Sequence, residues 1–231
     1  GIEVMLPALL GYEPQEHRSV KAFATVVWVD DTEPGPVRMA AVFRRFATED
    51  EAIASFSSVW VGRAAKLFNL RGPHTALDAG YASSLAAIQA ACHQLRAGDC
   101  DVVLAGGCSQ LLTPHDLIAF SKLGGLSPQS LIPFDARADG TILGEGVGIF
   151  VLRRLRDAIA TGERIYAVIR GVGAASDGRG KSLLAPNSQG QVLAMRRAYA
   201  QAGYSANEVQ YVECHGTGTQ LGDLTEFQGL S

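Results

Sequence analysis

Residues 72–85 read Gly72-Pro73-His74-Thr75-Ala76-Leu77-Asp78-Ala79-Gly80-Tyr81-Ala82-Ser83-Ser84-Leu85. A short apolar run at 75–77 reads as a strand and passes through small residues. A helical pattern over 82–97 follows and stops at Gly98. The stretch is thus a strand-to-helix turn with Tyr81 at its apex. A side chain at such a helix start sits where backbone N–H groups and the helix dipole favour negative charge. That placement suits a nucleophile such as a cysteine thiolate. The chain instead carries a phenol, whose reference pKa is about 10. Asp78 reads as the residue that ties the elbow, and Ser83 and Ser84 as capping and packing residues.

The pattern continues on both sides. Residues 101–105 (DVVLA) read as a buried strand followed by Gly106-Gly107, and Thr113-Pro114-His115-Asp116 opens a helix to about Lys122. Residues 146–153 read as a strand, 155–161 as a helix stopped by Gly162, and 165–173 as another strand. A helix is expected over 188–202, between Pro186-Asn187 and Gly203, and a strand over 209–213. Asp223 with Glu226 three residues on reads as a capped helix start. Strands alternating with helices point to an α/β protein with a mostly parallel sheet, covered on both faces. Residues 1–60 are less legible. They offer a possible strand at 21–30, a turn at 31–36 and helices at 37–46 and 50–59.

The chain has 231 residues, 47% hydrophobic and 19% charged. That is enough apolar material for a sizeable core and excludes a disordered chain. Net charge is −3, so no surface for nucleic acid or anionic membrane is indicated. No apolar run approaches the roughly 20 residues that span a bilayer. Cys92, Cys100, Cys108 and Cys214 form no CxxC pair and no metal spacing, which fits a reduced, cytoplasmic setting. The first three read as buried small hydrophobes.

A second stretch carries chemistry: Glu213-Cys214-His215-Gly216-Thr217-Gly218-Thr219. Here a histidine ends a strand and enters a small, hydroxyl-rich loop. Histidine serves as base or hydrogen-bond donor near neutral pH. The glycines admit close approach of a ligand to the backbone, and the threonines offer hydroxyls. Cys214 neighbours His215 but alternates to the other face of a strand. The remaining polar residues have plainer readings. Glu145 is expected as a buried carboxylate holding a turn, and Asp135 and Asp139 near Arg137 as turn caps. His17, His74, His93 and His115 read as surface or packing residues. Arg153-Arg154 and Arg196-Arg197 read as solvated faces, with contact to an acidic protein as the other option.

Taken together, these motifs resemble the β-ketoacyl synthases, the condensing enzymes of fatty-acid and polyketide synthesis. DAGYASSL stands where members read D-x-A-C-S/A-S-S-L, and HGTGTQLGD matches HGTGT-x-x-GD. Between them lie the markers AGG at 105–107, FSKxxxLSP at 120–128, PFDxxADGxxxGEG at 133–146 and SDGRGKSLLAP at 176–186. The wording of SDGRGKS and GDLTEFQGL is most similar to ketosynthases of polyunsaturated fatty-acid synthases and iterative polyketide synthases. The resemblance is dense over 60–231, the ketosynthase core, and weak over 1–60.

The resemblance implies a thiolase-like α-β-α-β-α layered fold, incomplete at its C-terminal half. It implies a decarboxylative Claisen condensation of acyl and malonyl thioesters on acyl-carrier protein. Position 81 would be the nucleophile, here Tyr81 for Cys. His215, with a second histidine, would promote decarboxylation, and Thr217 and Thr219 would contact the phosphopantetheine arm. That arm arrives on the carrier protein, so no metal or separate cofactor is expected. A homodimer, or a heterodimer with another ketosynthase, is the expected assembly.

The departures from the family pattern are Tyr81 for cysteine, Gly80 for the usual alanine before it, and the second histidine and lysine, expected beyond Ser231. Three readings follow. The chain is a condensing domain by descent that is condensation-deficient as written. Alternatively, it is a non-condensing homologue, like a chain-length factor or a malonyl decarboxylase. Alternatively, it is a structural dimerisation module.

Overall fold

The computed structural model describes residues 57–110, 114–179 and 185–231. The elements expected at 21–30, 31–36 and 37–46, most of the helix at 50–59, His17, Thr113 and part of the 176–186 motif lie outside the described residues. The described elements are α1 (Ser57–Leu67), α2 (Ser83–Ala97), β1 (Val102–Gln110), α3 (Pro114–Lys122), β2 (Glu145–Arg153), α4 (Leu155–Thr161), α5 (Ser188–Ala202), a 3-10 turn at Ala206–Glu208, and α6 (Gln220–Leu230). They fall into two compact units. One holds α1, α2, both strands and α4, and the other holds residues 115–143 and the chain from Val168 onward.

In the first unit, β1 and β2 form an antiparallel ladder from Val102↔Arg153 to Gln110↔Glu145. This corrects the expected parallel pairing. Alternation of strand and helix suggested a crossover, but residues 115–143 between the strands belong to the other unit, so no βαβ crossover forms here. Strand β1 also runs straight through Gly106-Gly107 rather than stopping before them. The reason is close packing. A Cβ on Gly106 would sit 1.9 Å from the Gly148 carbonyl oxygen, and one on Gly107 would sit 2.7 Å from Ser84 Cβ. Gly107 therefore lets α2 seat its first turn directly on the strand, while Gly106 makes room for the backbone of β2. Ala91, Cys92 and Leu95 of α2 close the core over Ala105 and Leu152, with Ala158 from α4. Among the described residues only this face is covered: Val147 and Ile149 of β2 remain more than 40% exposed.

Arg154 ties the edges of this core. Its guanidinium donates to the carbonyl oxygens of Leu95 (3.0 Å) and Cys100 (2.7 Å), and pairs with Asp157 (2.5 Å) and with Asp101. Arg153 pairs with Glu163. This pair is therefore not the solvated face expected from sequence. Asp157 is held below its usual pKa, first by its hydrogen bond from Arg154. Glu145 begins strand β2 rather than holding a turn, and it is half-buried. Cys108 is exposed, against the expected burial, whereas Cys92 is buried.

In the second unit, α5 packs on α6. Helix α5 starts and stops where the sequence places it. Asn187 caps it by accepting from Gln189 N–H at 3.0 Å, and left-handed Gly203 ends it. The expected strands at 75–77, 165–173 and 209–213 are not paired among the described residues. For the second of these the reason is visible from Val168 onward. A Cβ on Gly171 or Gly173 would meet the carbonyl oxygens of Ala198 or Ala194 at 2.2 and 2.0 Å. Side chains of α5 take the backbone polar groups: Val172 N–H donates to Gln201 at 2.7 Å, and Arg197 donates to Ala174 O at 2.5 Å. Residues 168–174 thus run against a helix instead of joining a ladder.

Gly106→Ala should cost about 1–3 kcal/mol, the usual range for overpacking. Gly148→Ala, where a Cβ meets nothing within 4 Å, should stay within about 0.5 kcal/mol of wild type. Urea midpoints at unchanged slope measure both.

Candidate active site

The elbow at Tyr81 is built by its neighbours. Asp78 Oδ1 accepts from Gly80 N–H at 3.0 Å. Ser83 Oγ accepts from Ala79 N–H at 2.9 Å and donates to Gly80 O at 2.6 Å. Gly80 has φ +59°, a left-handed conformation that glycine adopts without steric cost. A Cβ there would meet nothing within 4 Å, so the torsion and not the space calls for glycine. Ala82 then caps α2 without a side-chain bond. The turn leaves Tyr81 72% exposed at the apex. Asp78 thus ties the elbow as its position suggested, whereas Ser83 closes the turn rather than capping α2, and Ser84 is the one that packs, against Gly107.

The His215 loop belongs to the other unit, where α6 holds it. Glu226 Oε1 accepts from His215 N–H at 2.6 Å, and its Oε2 accepts from Gly216 N–H at 2.9 Å. Asp223 Oδ1 accepts from Gly218 N–H at 3.0 Å, and its Oδ2 accepts from Phe134 N–H at 2.7 Å. Residues three apart on a helix share a face, so both carboxylates are aimed at one loop. Charge-assisted hydrogen bonds of this kind are the stronger sort. Gly140 N–H adds a bond to Gly218 O at 3.0 Å. Gly216 and Gly218 have φ of +52° and +73°, and this sharp path turns successive N–H groups towards the helix.

These contacts change the reading of two residues. Thr219, not Asp223, caps α6, its hydroxyl accepting from Gly222 N–H at 3.2 Å. Asp223 lies inside the helix, 5% exposed, and Glu226 serves the loop rather than a capping box. The usable signal was the pair of acids at i and i+3 just after a glycine-rich loop, whose N–H groups need acceptors.

Thr217 and Thr219 lie together, their hydroxyl oxygens 2.9 Å apart. Either can donate to the other, so one hydroxyl proton of the pair remains for a ligand. His215, two residues before Thr217, is exposed. The structure therefore brings His215, Thr217 and Thr219 into one loop, with Tyr81 on a separate unit. The surroundings of Cys214 disfavour its thiolate. Burial pushes its thiol up, and the charges of Glu226 and Glu213 add to the shift. Glu213 also accepts a hydrogen bond from Tyr211, which raises that phenol.

Asp223→Ala should destabilise the protein by on the order of 3 kcal/mol, because it strands two backbone donors; Asp223→Asn should lose less. Chemical denaturation reads this directly. Because the thiolate is the reactive form, iodoacetamide should label Cys214 more slowly than exposed Cys108 at pH 8 and faster as pH rises. Glu226→Gln removes one of the charges that raise the thiol, so labelling of Cys214 at pH 8 should speed up. Peptide mass spectrometry at each cysteine checks both expectations.

Comparison with known proteins places these sites in a family. Residues 11–158 match the family model "Beta-ketoacyl synthase, N-terminal domain", and residues 166–231 match "Beta-ketoacyl synthase, C-terminal domain". The chain is 45% identical over 174 residues to one of the phenolphthiocerol/phthiocerol polyketide synthase polypeptides of Mycobacterium bovis, covering 75% of this chain and 9% of that protein. It is 47% identical over 172 residues to a different polypeptide of the same synthase in Mycobacterium tuberculosis, covering 74% and 9%. The chain thus spans about a tenth of the length of these relatives. Among solved structures, it is similar to the ketosynthase from module 6 of the bacillaene synthase of Bacillus subtilis 168. The TM-score is 0.73 at 36% identity, over 75% of this chain and 31% of that one. The fold is accordingly the thiolase-like fold of ketosynthases. Matches to both halves of one enzyme domain, in order and over most of the sequence, establish that the chain belongs to the β-ketoacyl synthase family.

Proposed function

We propose that this chain is a ketosynthase-type domain of a polyketide or fatty-acid synthase that is condensation-deficient as written, because Tyr81 occupies the nucleophile position. The observation that carries this reading is the intact elbow. Asp78, Gly80 and Ser83 shape a turn that projects residue 81 from the start of α2, and the projected group is a phenol. In the ancestral reaction a thiolate at this position takes the acyl group from a carrier-protein thioester, releasing the carrier thiol. A malonyl thioester then loses carbon dioxide, and the resulting carbanion attacks the acyl-enzyme. At neutral pH an ordinary phenol is far less ionised than a thiol, so the first step fails.

The second reading is a malonyl decarboxylase, and the held His215 loop favours it. His215 would donate a hydrogen bond to the thioester carbonyl as the carbon–carbon bond to carboxylate breaks. The electron pair would enter the enolate, which takes a proton from water to give the acetyl thioester. The proton left on the Thr217–Thr219 pair would orient the phosphopantetheine arm. Delivery by acyl-carrier protein, pairing with itself or another ketosynthase, and a cytoplasmic setting belong to the same proposal. No metal or further cofactor enters it.

Acyl-carrier protein and malonyl-carrier protein, each incubated with the chain and read by intact mass, test both readings. The wild type should gain no acyl mass, whereas Tyr81→Cys should gain one acyl group per chain. Acyl mass on the wild type would overturn the condensation-deficient reading. Conversion of malonyl- to acetyl-carrier protein supports the decarboxylase, and its failure removes that reading.

A further inference from the structure

Ile132-Pro133-Phe134-Asp135 forms a turn closed by Asp135 N–H donating to Ile132 O at 3.3 Å. Pro133 stands second, where its fixed φ suits the turn. The third position of such a type II turn requires positive φ and normally takes Gly or Asn. Here it is Phe134, with φ +61°. A bulky residue in the left-handed region is sterically strained, and such strain persists where the surroundings over-determine it, most often at functional sites.

The surroundings do hold it. Phe134 N–H donates to Asp223 Oδ2, and the other oxygen of that carboxylate accepts from Gly218 N–H. The next residue is fixed as well: Asp135 takes a two-pronged pairing from Arg137 at 2.9 Å, which holds its carboxyl well below the usual range. The ring lies beside the His215 loop. A Cβ built on Gly216 would come within 3.6 Å of Phe134 Cε2 and 3.3 Å of Pro133 Cβ. Phe134 is nevertheless 46% exposed, so burial does not account for an aromatic residue in a strained position. Gly216 has no side chain of its own to limit its torsions, and a wall on one side supplies that limit.

We propose that Phe134 is a positioning residue for the His215 loop. Its ring, fixed in a left-handed turn by Asp223, walls the Gly216 peptide and sets the direction in which His215 presents its imidazole. The functional half of this inference rests on the reading of His215 as the group that acts on the malonyl thioester. The positional half does not.

Three variants test it: Phe134→Gly removes strain and ring together, Phe134→Leu keeps the strain without the ring, and Phe134→Tyr restores the ring. The measurements are the thermal midpoint, the NMR resonances of Gly216 Hα and the His215 imidazole, and kcat and KM for malonyl-carrier-protein decarboxylation. Phe134→Gly should melt at or above the wild-type temperature, because glycine relieves the strain. Its Gly216 and His215 resonances should nonetheless move as the ring-current field and the fixed geometry are lost. Its kcat should fall about tenfold with KM within about twofold, as loss of orientation predicts. Phe134→Tyr should restore the resonances and kcat. Phe134→Leu carries the same readouts should Phe134→Gly not fold. Wild-type Gly216 and His215 resonances in the ring-less variants would overturn the proposal, as would a wild-type kcat in them. If the wild type itself does not decarboxylate, the reading of His215 falls, and the resonances alone still decide whether Phe134 positions the loop.

Discussion

The candidate site depends on two carboxylates placed three residues apart on one helix. Asp223 and Glu226 each bind two backbone N–H groups, and between them they take the amides of residues 134, 215, 216 and 218. A loop whose glycines have positive φ turns its amides to one side and leaves them without partners of their own. Buried or half-buried amides must find acceptors, and an ionised carboxylate is the strongest acceptor a side chain offers. The path of the loop follows from that one arrangement. The thiol of Cys214 shows its electrostatic side, since the charge of Glu226 helps to keep that group protonated.

The elbow works by smaller means. A short carboxylate, a hydroxyl and a glycine close two overlapping turns within six residues, and a second glycine on β1 lets the helix start rest on the strand. In both places side chains of the scaffold grip the backbone.

Most of the helical frame was legible in the sequence. Helices α4 and α5 begin and end at the expected residues, because glycine stops and the Asn187 cap act within a few residues of chain. Pairing was less legible. The order of strand, helix and strand suggested a crossover, but β1 and β2 pair antiparallel, and no local signal says that the residues between them belong to another unit. Residues 168–174 have the apolar look of a strand, yet Gln201 and Arg197 satisfy their backbone from a helix. At the site, the motif residues His215, Thr217 and Thr219 were found by kind and spacing. Asp223 and Glu226 were seen only as a helix start, because a carboxylate that reaches back to a loop looks in sequence like one that caps its own helix. Phe134 drew no reading of its own beyond its place in a motif, since torsion is invisible in a string of letters.

A grip on the backbone alone has an evolutionary consequence. At the His215 loop the bonds fall on the N–H groups of residues 215, 216 and 218, so a change of the His215 side chain alters what the loop presents without removing those bonds. A lineage that exchanged the imidazole for another group would keep the frame of the loop, open to a new task. Asp78, Ser83, Asp223 and Glu226 have no such freedom, and they are where a drifting descendant should change last.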